Sequence, residues 1–523
     1  MSNKLKVLLV YPNSYLMNML PPAISRFSAL LKEQGYTIDL FDTTYHKIDG
    51  KITSDEEKTK HLQVRPFNLE GSKIKPKSTD VVEDFLEKIT TYEPDLIAVS
   101  VVEDMFALTK RLLKAARERK NILTVMGGVF PTFAPEKAIA IKGVDIICVG
   151  EGEYALVDLC NKINEGENFD NIPGLWIKKK NKKVIRNKQG SLVDISNTAL
   201  PDFTIFEEAR LYRPMAGKVY RMIPFETQRG CPYTCSFCNS PMQNILFKEN
   251  IGKTYYRSRT MESIRREMDF LIKTWKPEYM YFTADTFLAW SPKQFDEFVE
   301  TYSDYKFPFW IQTRAETITP YYLKKLKEVG LHRMSIGLEH GNEKFRKEVV
   351  SRNYPNAVII KAFNIAANLD IPVTANNIIG FPYENRELAF DTIELNRKIK
   401  ADDRNCYPFT PFHGVPLRTK CDELGYTKYE DIVESFVASG SLLDMPQFPK
   451  EKVDGLCKTF NFYVSFPKNR WKEIKIAEKN DKEGKIVYKN LKEEFTEKYL
   501  YKNYSEEQKG DHLDFPLSMG KMS

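Results

Sequence analysis

The sequence predicts an α/β chain: a doubly wound parallel sheet first, a parallel barrel or open barrel second, and a helical region last. Three observations carry this. Short, wholly apolar runs alternate with helical periodicity from residue 5 to about residue 164. Strand–helix units of about 40 residues recur from 222 to 411. Beyond about 418 the strand pattern stops, and the chain turns helical and rich in Lys, Glu and aromatic residues.

Composition sets the outer limits. A chain of 523 residues is expected to hold two or three domains. Hydrophobic residues make up 42% and charged residues 28%, an ordinary balance for a globular enzyme. The formal charge of +7 is spread over 78 basic and 71 acidic residues, which lacks the clustering of a nucleic-acid footprint. No apolar run approaches the ~20 residues that span a bilayer, and the short run near the start lacks a signal-peptide cleavage site. Eight mostly scattered cysteines suggest a reducing cytoplasm.

In the first region, "LKVLLV" (5–10), "TIDLFD" (37–42), "DLIAVSVV" (95–102), "NILTVMGG" (121–128) and "VDIICVGEGE" (144–153) read as strands buried on both faces. Helical segments at about 23–34, 80–91, 105–119 and 153–164 separate most of them. In such a sheet a ligand sits beyond the carboxyl ends of the strands. Gly127, Gly128, Gly150 and Gly152 fall at those ends, where glycine lets backbone approach a bulky ligand. They serve equally well as turn glycines. No G-x-G-x-x-G follows the first strand, so a dinucleotide fingerprint is missing. The stretch 166–218 is polar and irregular, a linker whose basic run "KKKNKKVIRNKQG" reads as a solvated hairpin; Trp176 and "LPDF" (200–203) suggest that it packs against something.

"RGCPYTCSFCN" (229–239) places Cys231, Cys235 and Cys238 at the spacing C-x3-C-x2-C. Structural zinc closes its shell with four ligands. The next cysteine is Cys406 and no histidine lies between Cys148 and His332, so only a distant residue could be the fourth. Three thiolates suit a [4Fe–4S] cluster with one iron left open to a chelating molecule. "MIPFETQ" (222–228) leads into this loop as a strand. Further strands are expected at 278–285, 307–316, 331–339, 371–380 and 403–411, with helices near 260–274, 293–304, 320–329, 356–368 and 386–399. Chemistry in such barrels sits at the carboxyl ends of the strands, where the cysteine loop also falls.

"KVLLVYP", "GGVFPTFAPE", "VGEGE" and the cysteine loop together resemble the cobalamin-dependent (class B) radical S-adenosylmethionine (SAM) enzymes over about residues 1–417. The resemblance implies a Rossmann-like, flavodoxin-like cobalamin domain (1–165), a linker (166–218), a partial (β/α)6 radical SAM core (219–417) and a helical cap over the substrate site (418–523). It implies a [4Fe–4S] cluster on Cys231, Cys235 and Cys238, with SAM and cobalamin as further cofactors. For SAM it implies contacts from Thr283, Ala284 and Asp285 in "YFTAD", Gln312 and Arg314 in "IQTRAE", Glu339 in "SIGLEHG", Arg352 and Asn376; for cobalamin, Gly127, Gly128, Gly150 and Gly152. "YPNSYLMNM" holds no histidine after the first strand, so cobalt is expected to lack a lower histidine ligand. His46 is expected to be a loop residue, and Tyr281, His340, Cys406, Tyr407 and His413 ordinary packing. Family members cleave SAM reductively to a 5′-deoxyadenosyl radical, most plausibly used here to methylate an unactivated carbon of a small-molecule or biosynthetic substrate. Rearrangement or oxidative cyclisation with the same cofactors is the alternative; a non-catalytic Fe–S or cobalamin module for sensing or electron transfer is another. The implied partners are the substrate and an electron donor such as flavodoxin or ferredoxin, with no nucleic acid.

Overall fold

The structure, a computed structural model, describes residues 4–48, 61–63, 74–433 and 440–500. The expected stretch 501–523 of the C-terminal region lies outside the described residues.

The first sheet contains β1 (Lys6–Tyr11), β2 (Thr37–Asp42), β3 (Leu96–Ser100), β4 (Leu123–Gly127) and β5 (Ile146–Cys148), parallel and in the order β2-β1-β3-β4-β5. This is the flavodoxin-like order. The apolar runs have a direct cause. Val7 and Leu9 enter one hydrophobic cluster and Leu8 and Val10 the other, so both faces of β1 are covered. The first cluster continues into the second sheet through Ile223, Ile264 and Met280, so the two halves share a core.

Residues 166–218 are not free chain. β6 (Leu175–Lys178) and β7 (Val184–Arg186) add to β5 as an antiparallel hairpin, and the basic run forms its tip. Phe203 of "LPDF" meets Trp275 edge-on at 5.6 Å. β8 (Tyr212–Met215) pairs antiparallel with β9 (Lys218–Phe225) and opens the second sheet.

A short ladder, β10 (Gln228–Arg229) with β11 (Arg257–Ser258), flanks the cysteine loop. The second sheet then runs through β12 (Tyr279–Phe282), β13 (Phe309–Arg314), β14 (Leu331–Glu339), β15 (Val373–Ile379) and β16 (Asp403–Pro408). Its order is β8-β9-β12-β13-β14-β15-β16, with β9 onward all parallel. The outermost strands do not pair, so this is the expected partial barrel. Helices Met261–Trp275, Pro292–Tyr302, Pro320–Glu328, Asn356–Asn368 and Arg386–Lys398 connect the strands. Beyond the barrel, helix Lys450–Ser465 packs against β16 and Arg386–Lys398 around a second core that contains Phe381, Leu456 and Phe460. Among the described residues no helix is long and apolar enough to cross a membrane.

Candidate functional site

The cysteine loop leaves the carboxyl end of β9 and is held from several directions. Asn244 Nδ2 donates to the Cys231 carbonyl at 2.8 Å, and its Oδ1 accepts from the backbone N–H groups of Tyr255 and Tyr256 at 3.0 and 3.2 Å. Ser236 Oγ donates to the Val349 carbonyl, and its own carbonyl accepts from Leu417 N at 3.0 Å. The loop is thus pinned to β11, to the segment after β14 and to the chain after β16.

The three thiols have different surroundings. Cys235 Sγ accepts from Arg314 Nη1 at 2.8 Å and Arg352 Nε at 3.3 Å, so two guanidinium groups converge on this sulfur. Cys231 Sγ lies 3.4 Å from Thr286 Oγ1, and burial pushes this thiol up. Cys238 Sγ accepts from Ser240 N at 3.5 Å, where helix Ser240–Ile251 begins; burial pushes it up to about 11. Among the described residues no three His, Cys, Asp or Glu side chains gather closely enough for one metal ion. A four-iron cluster is a wider object and takes each thiolate on a separate iron. The donor set of three soft sulfurs with cationic and N–H neighbours fits such a cluster.

Arg314, Gly337, Asn376 and Asn405 stand side by side across β13, β14, β15 and β16. A Cβ on Gly337 would lie 2.3 Å from Glu339 Oε1 and 3.0 Å from Arg352 Nη1, so this glycine makes room for an ion pair. Glu339 sits past a bulge in β14 with φ +65°, its Oε1 3.2 Å from Arg352 Nη2. Burial raises the Glu339 carboxyl despite the charges of Arg352 and Arg314. Arg352 also donates to the Gly337 carbonyl at 2.6 Å, so every nitrogen of its guanidinium is engaged within the chain. Asn376 Oδ1 accepts from Asn405 Nδ2 at 3.1 Å, and Gln312 Nε2 reaches the Ala284 carbonyl at 3.4 Å.

Thr283 and Asp285 do not join that row. They line a cavity of about 510 Å³ whose far wall is the carboxyl edge of the first sheet. All four expected glycines line it, among apolar side chains such as Phe27, Val99 and Leu156. Gly128 has φ +109°, and a Cβ there would lie 2.6 Å from the Val101 carbonyl oxygen. The chain's own packing therefore demands this glycine, as the turn reading has it, while the residue still faces the cavity. A Cβ on Gly127 would meet nothing closer than 3.6 Å. Asp285 is surrounded by protein yet opens into the cavity; burial raises its carboxyl, and its Oδ2 accepts from Ser240 Oγ at 3.1 Å.

Of the residues expected to pack, Tyr281, His340, Cys406 and His413 do so, and His46, expected as a loop residue, packs as well. His46 is buried and places Nε2 2.9 Å from Asp84 Oδ2. His340 stacks on Phe345 and places Nε2 3.1 Å from Glu384 Oε1. Tyr281 stacks on Trp310 at 4.3 Å, and the Cys406 and Cys457 sulfurs lie 4.0 Å apart. His413 does more: its Nδ1 meets Glu103 Oε1 at 2.8 Å, joining the end of the barrel to the first sheet. Sequence reasoning missed this pair, and it missed Glu151, Glu153, Glu226 and Arg229 on the cavity wall; the acidic doublet of "GEGE" and the arginine before "GCP" were the available signals for three of the four.

Comparison with known proteins agrees with this geometry. Residues 225–395 match the radical SAM superfamily, and residues 67–160 match the B12 binding domain. An uncharacterized methyltransferase of Pyrococcus horikoshii is 25% identical over 340 residues, covering 64% of this chain and 71% of the relative. The anaerobic magnesium-protoporphyrin IX monomethyl ester cyclase of Rubrivivax gelatinosus is 27% identical over 359 residues, covering 66% of this chain and 62% of the relative. Among solved structures, the radical SAM methyltransferase TsrM of Kitasatospora setae, with tryptophan and a SAM analog bound, superposes with a TM-score of 0.60 at 16% identity, covering 80% of this chain and 76% of that one.

Proposed function

We propose, for a chain that carries both a B12-binding domain and a radical SAM domain, that it transfers a methyl group to an unactivated carbon of a small-molecule or biosynthetic substrate. The radical SAM domain implies a [4Fe–4S] cluster and SAM, and the B12-binding domain implies cobalamin. One observation carries the reading: a single cavity is bounded by the glycine loops of the first sheet and by Thr283 and Asp285 of the barrel, and Thr286, next to Asp285, places Oγ1 3.4 Å from Cys231 Sγ.

Cys231, Cys235 and Cys238 would hold the cluster. Bound in these places, cluster and SAM supply a radical that takes hydrogen from carbon, and cobalamin supplies a methyl carrier. The chain's residues prepare this without an acid–base pair. Arg314 and Arg352 would hold the Cys235 sulfur in place with two hydrogen bonds. Asp285, its carboxyl raised by burial, would gain from an ammonium group, whose charge favours the carboxylate; Thr283 offers a hydroxyl beside it. Arg352 also fixes Glu339, and Gln312 and Asn376 would offer carboxamides to a ribose or carboxylate. The four glycines and their apolar neighbours leave room for a flat, bulky ligand and keep water from its face. The cyclase relative favours one second reading, ring formation with the same cofactors.

The test is the anaerobically reconstituted protein with dithionite, hydroxocobalamin and SAM, its products read by mass spectrometry. 5′-Deoxyadenosine with S-adenosylhomocysteine, and cobalamin retained through gel filtration, is the expected result. Deoxyadenosine alone moves the assignment to cyclisation. A cluster that does not load overturns the enzyme reading.

A further inference from the structure

Five charged side chains meet where the two halves of the cavity join. Arg229, two residues before Cys231, directs Nη1 to Glu151 Oε1 at 2.6 Å and to Glu153 Oε1 at 2.7 Å. Its Nε and Nη2 clasp both oxygens of Glu226 at 2.9 and 3.0 Å. Arg257, opposite Arg229 in the β10–β11 ladder, reaches the same Glu151 oxygen at 2.5 Å and the Val193 carbonyl at 3.0 Å. Glu151 and Glu153 flank Gly152 and follow Gly150, in the glycine loop of the first sheet. Glu226 and Arg229 flank the entry to the cysteine loop. Glu151, Glu153, Glu226 and Arg229 all line the cavity.

The group is built for direction. Glu226 meets the guanidinium as a fork, an arrangement that fixes angle as well as distance. Burial would raise the Glu226 carboxyl, yet it ends lowered because the charge and hydrogen bonds of Arg229, with the charges of Arg26 and Arg259, together outweigh burial. Three carboxylates face two guanidiniums, so Arg229 cannot turn away without leaving two buried acids of the first sheet short of a partner. A lysine would keep the charge and lose the fork.

We propose that Arg229 is a positioning residue that sets the spacing and angle between the glycine loop and the cysteine loop, so that ligands held by the two loops react with each other. This rests on the reading that both loops hold cofactors.

The test compares wild type with Arg229→Lys and Glu153→Gln, each reconstituted with iron, sulfide and hydroxocobalamin. Both variants should load iron and hydroxocobalamin as wild type does. Two readouts should change. The cob(II)alamin electron-spin signal should relax more slowly beside the reduced cluster, because that enhancement falls steeply with separation. Formation of methylcobalamin from SAM, with added dithionite supplying the two electrons that take hydroxocobalamin to cob(I)alamin and S-adenosylhomocysteine leaving, should drop in rate, by up to about 100-fold for a displacement near 1 Å, with half-saturating SAM unchanged. Glu153→Gln removes one charged contact and leaves the fork, so its effect should be the smaller and its folding the safer. Unchanged relaxation and rate in loaded Arg229→Lys would overturn the proposal; if that variant does not fold, the same result in Glu153→Gln does so. Should wild type fail to retain hydroxocobalamin, the functional reading fails by itself. The joint is then read from nitroxide labels at the exposed positions Tyr154 and Ile245: a narrow distance distribution that broadens in Arg229→Lys supports it, and one that stays narrow overturns it.

Discussion

The glycine wall of the cavity and the cysteine wall of the barrel beside it are made by opposite means. The glycine wall is mainly a matter of shape: Gly128 is there because Val101 backbone lies where a side chain would be, and most of the wall around it is aliphatic or aromatic, with Glu151 and Glu153 where it meets the barrel. The cysteine wall is a matter of charge: two guanidiniums on one sulfur, an arginine–glutamate pair in a slot cleared by Gly337, and Asp285, which opens into the cavity. Shape is spread over many atoms and degrades gradually. Charge is concentrated in a few atoms, and each has a partner that suffers when it is removed.

The comparison can be broken most directly at Cys235. Cys235→Ala should abolish deoxyadenosine formation and lower bound iron, while hydroxocobalamin still elutes with the protein; retained SAM cleavage would sink the assignment of the cluster. The next largest effect is expected at Arg352. Arg352→Ala leaves Glu339 buried without its cation and should cost about 3–5 kcal/mol in chemical denaturation. Arg352→Lys should recover part of that. Equal losses for the two would mean that shape, not charge, governs this wall as well.

Gly128→Ala tests the other wall. The new methyl meets Val101 backbone at a positive φ, so a loss of about 1–3 kcal/mol is expected. Hydroxocobalamin retention should fall with it, and iron loading should not. A variant that loses iron as well would show that the walls are not separable.

The smallest effect is a pH dependence. Burial pushes Cys148 and Cys160, in the first half, up to about 12 from 9. A thiol whose folded value is raised stabilises the fold fully below the unfolded value and loses that contribution as pH rises through the folded one. Thermal stability should therefore decline above pH 9 in both the apo and the loaded protein. Cys238, raised to about 11, titrates only without a cluster, so the apo curve should fall more steeply. Superimposable curves would mean that the cysteine wall contributes nothing to this decline.

Much of this was legible in the chain. Each strand buried on both faces announced itself as an apolar run, because its alternate residues enter two different cores. The cysteine spacing was legible because all three ligands lie in one loop. The hairpin of β6 and β7 was harder to see as sheet: its lysines lie at the exposed tip, where no burial pattern marks a strand. Thr283 and Asp285 were picked out with Glu339 and Arg352 as one group, whereas the structure divides them between the cavity and the row across the barrel. Arg229 with Glu151, and Glu103 with His413, could not be paired from sequence. Their separations are 78 and 310 residues, and no periodicity links an acid to a base over such distances.

Those same pairs bear on how the chain is made. Arg26, Glu103, Glu151 and Glu153 all belong to the first half, and all find their partners in the second: Glu267, His413, Arg229 and Arg257. The ribosome delivers the first half earlier. Until the barrel emerges, these four side chains stand hydrated on the face that will later be covered, interrupting the apolar surface around them. A seam drawn in charge keeps an unfinished protein apart from its neighbours in the cell, and becomes adhesive only when the rest of the same molecule arrives.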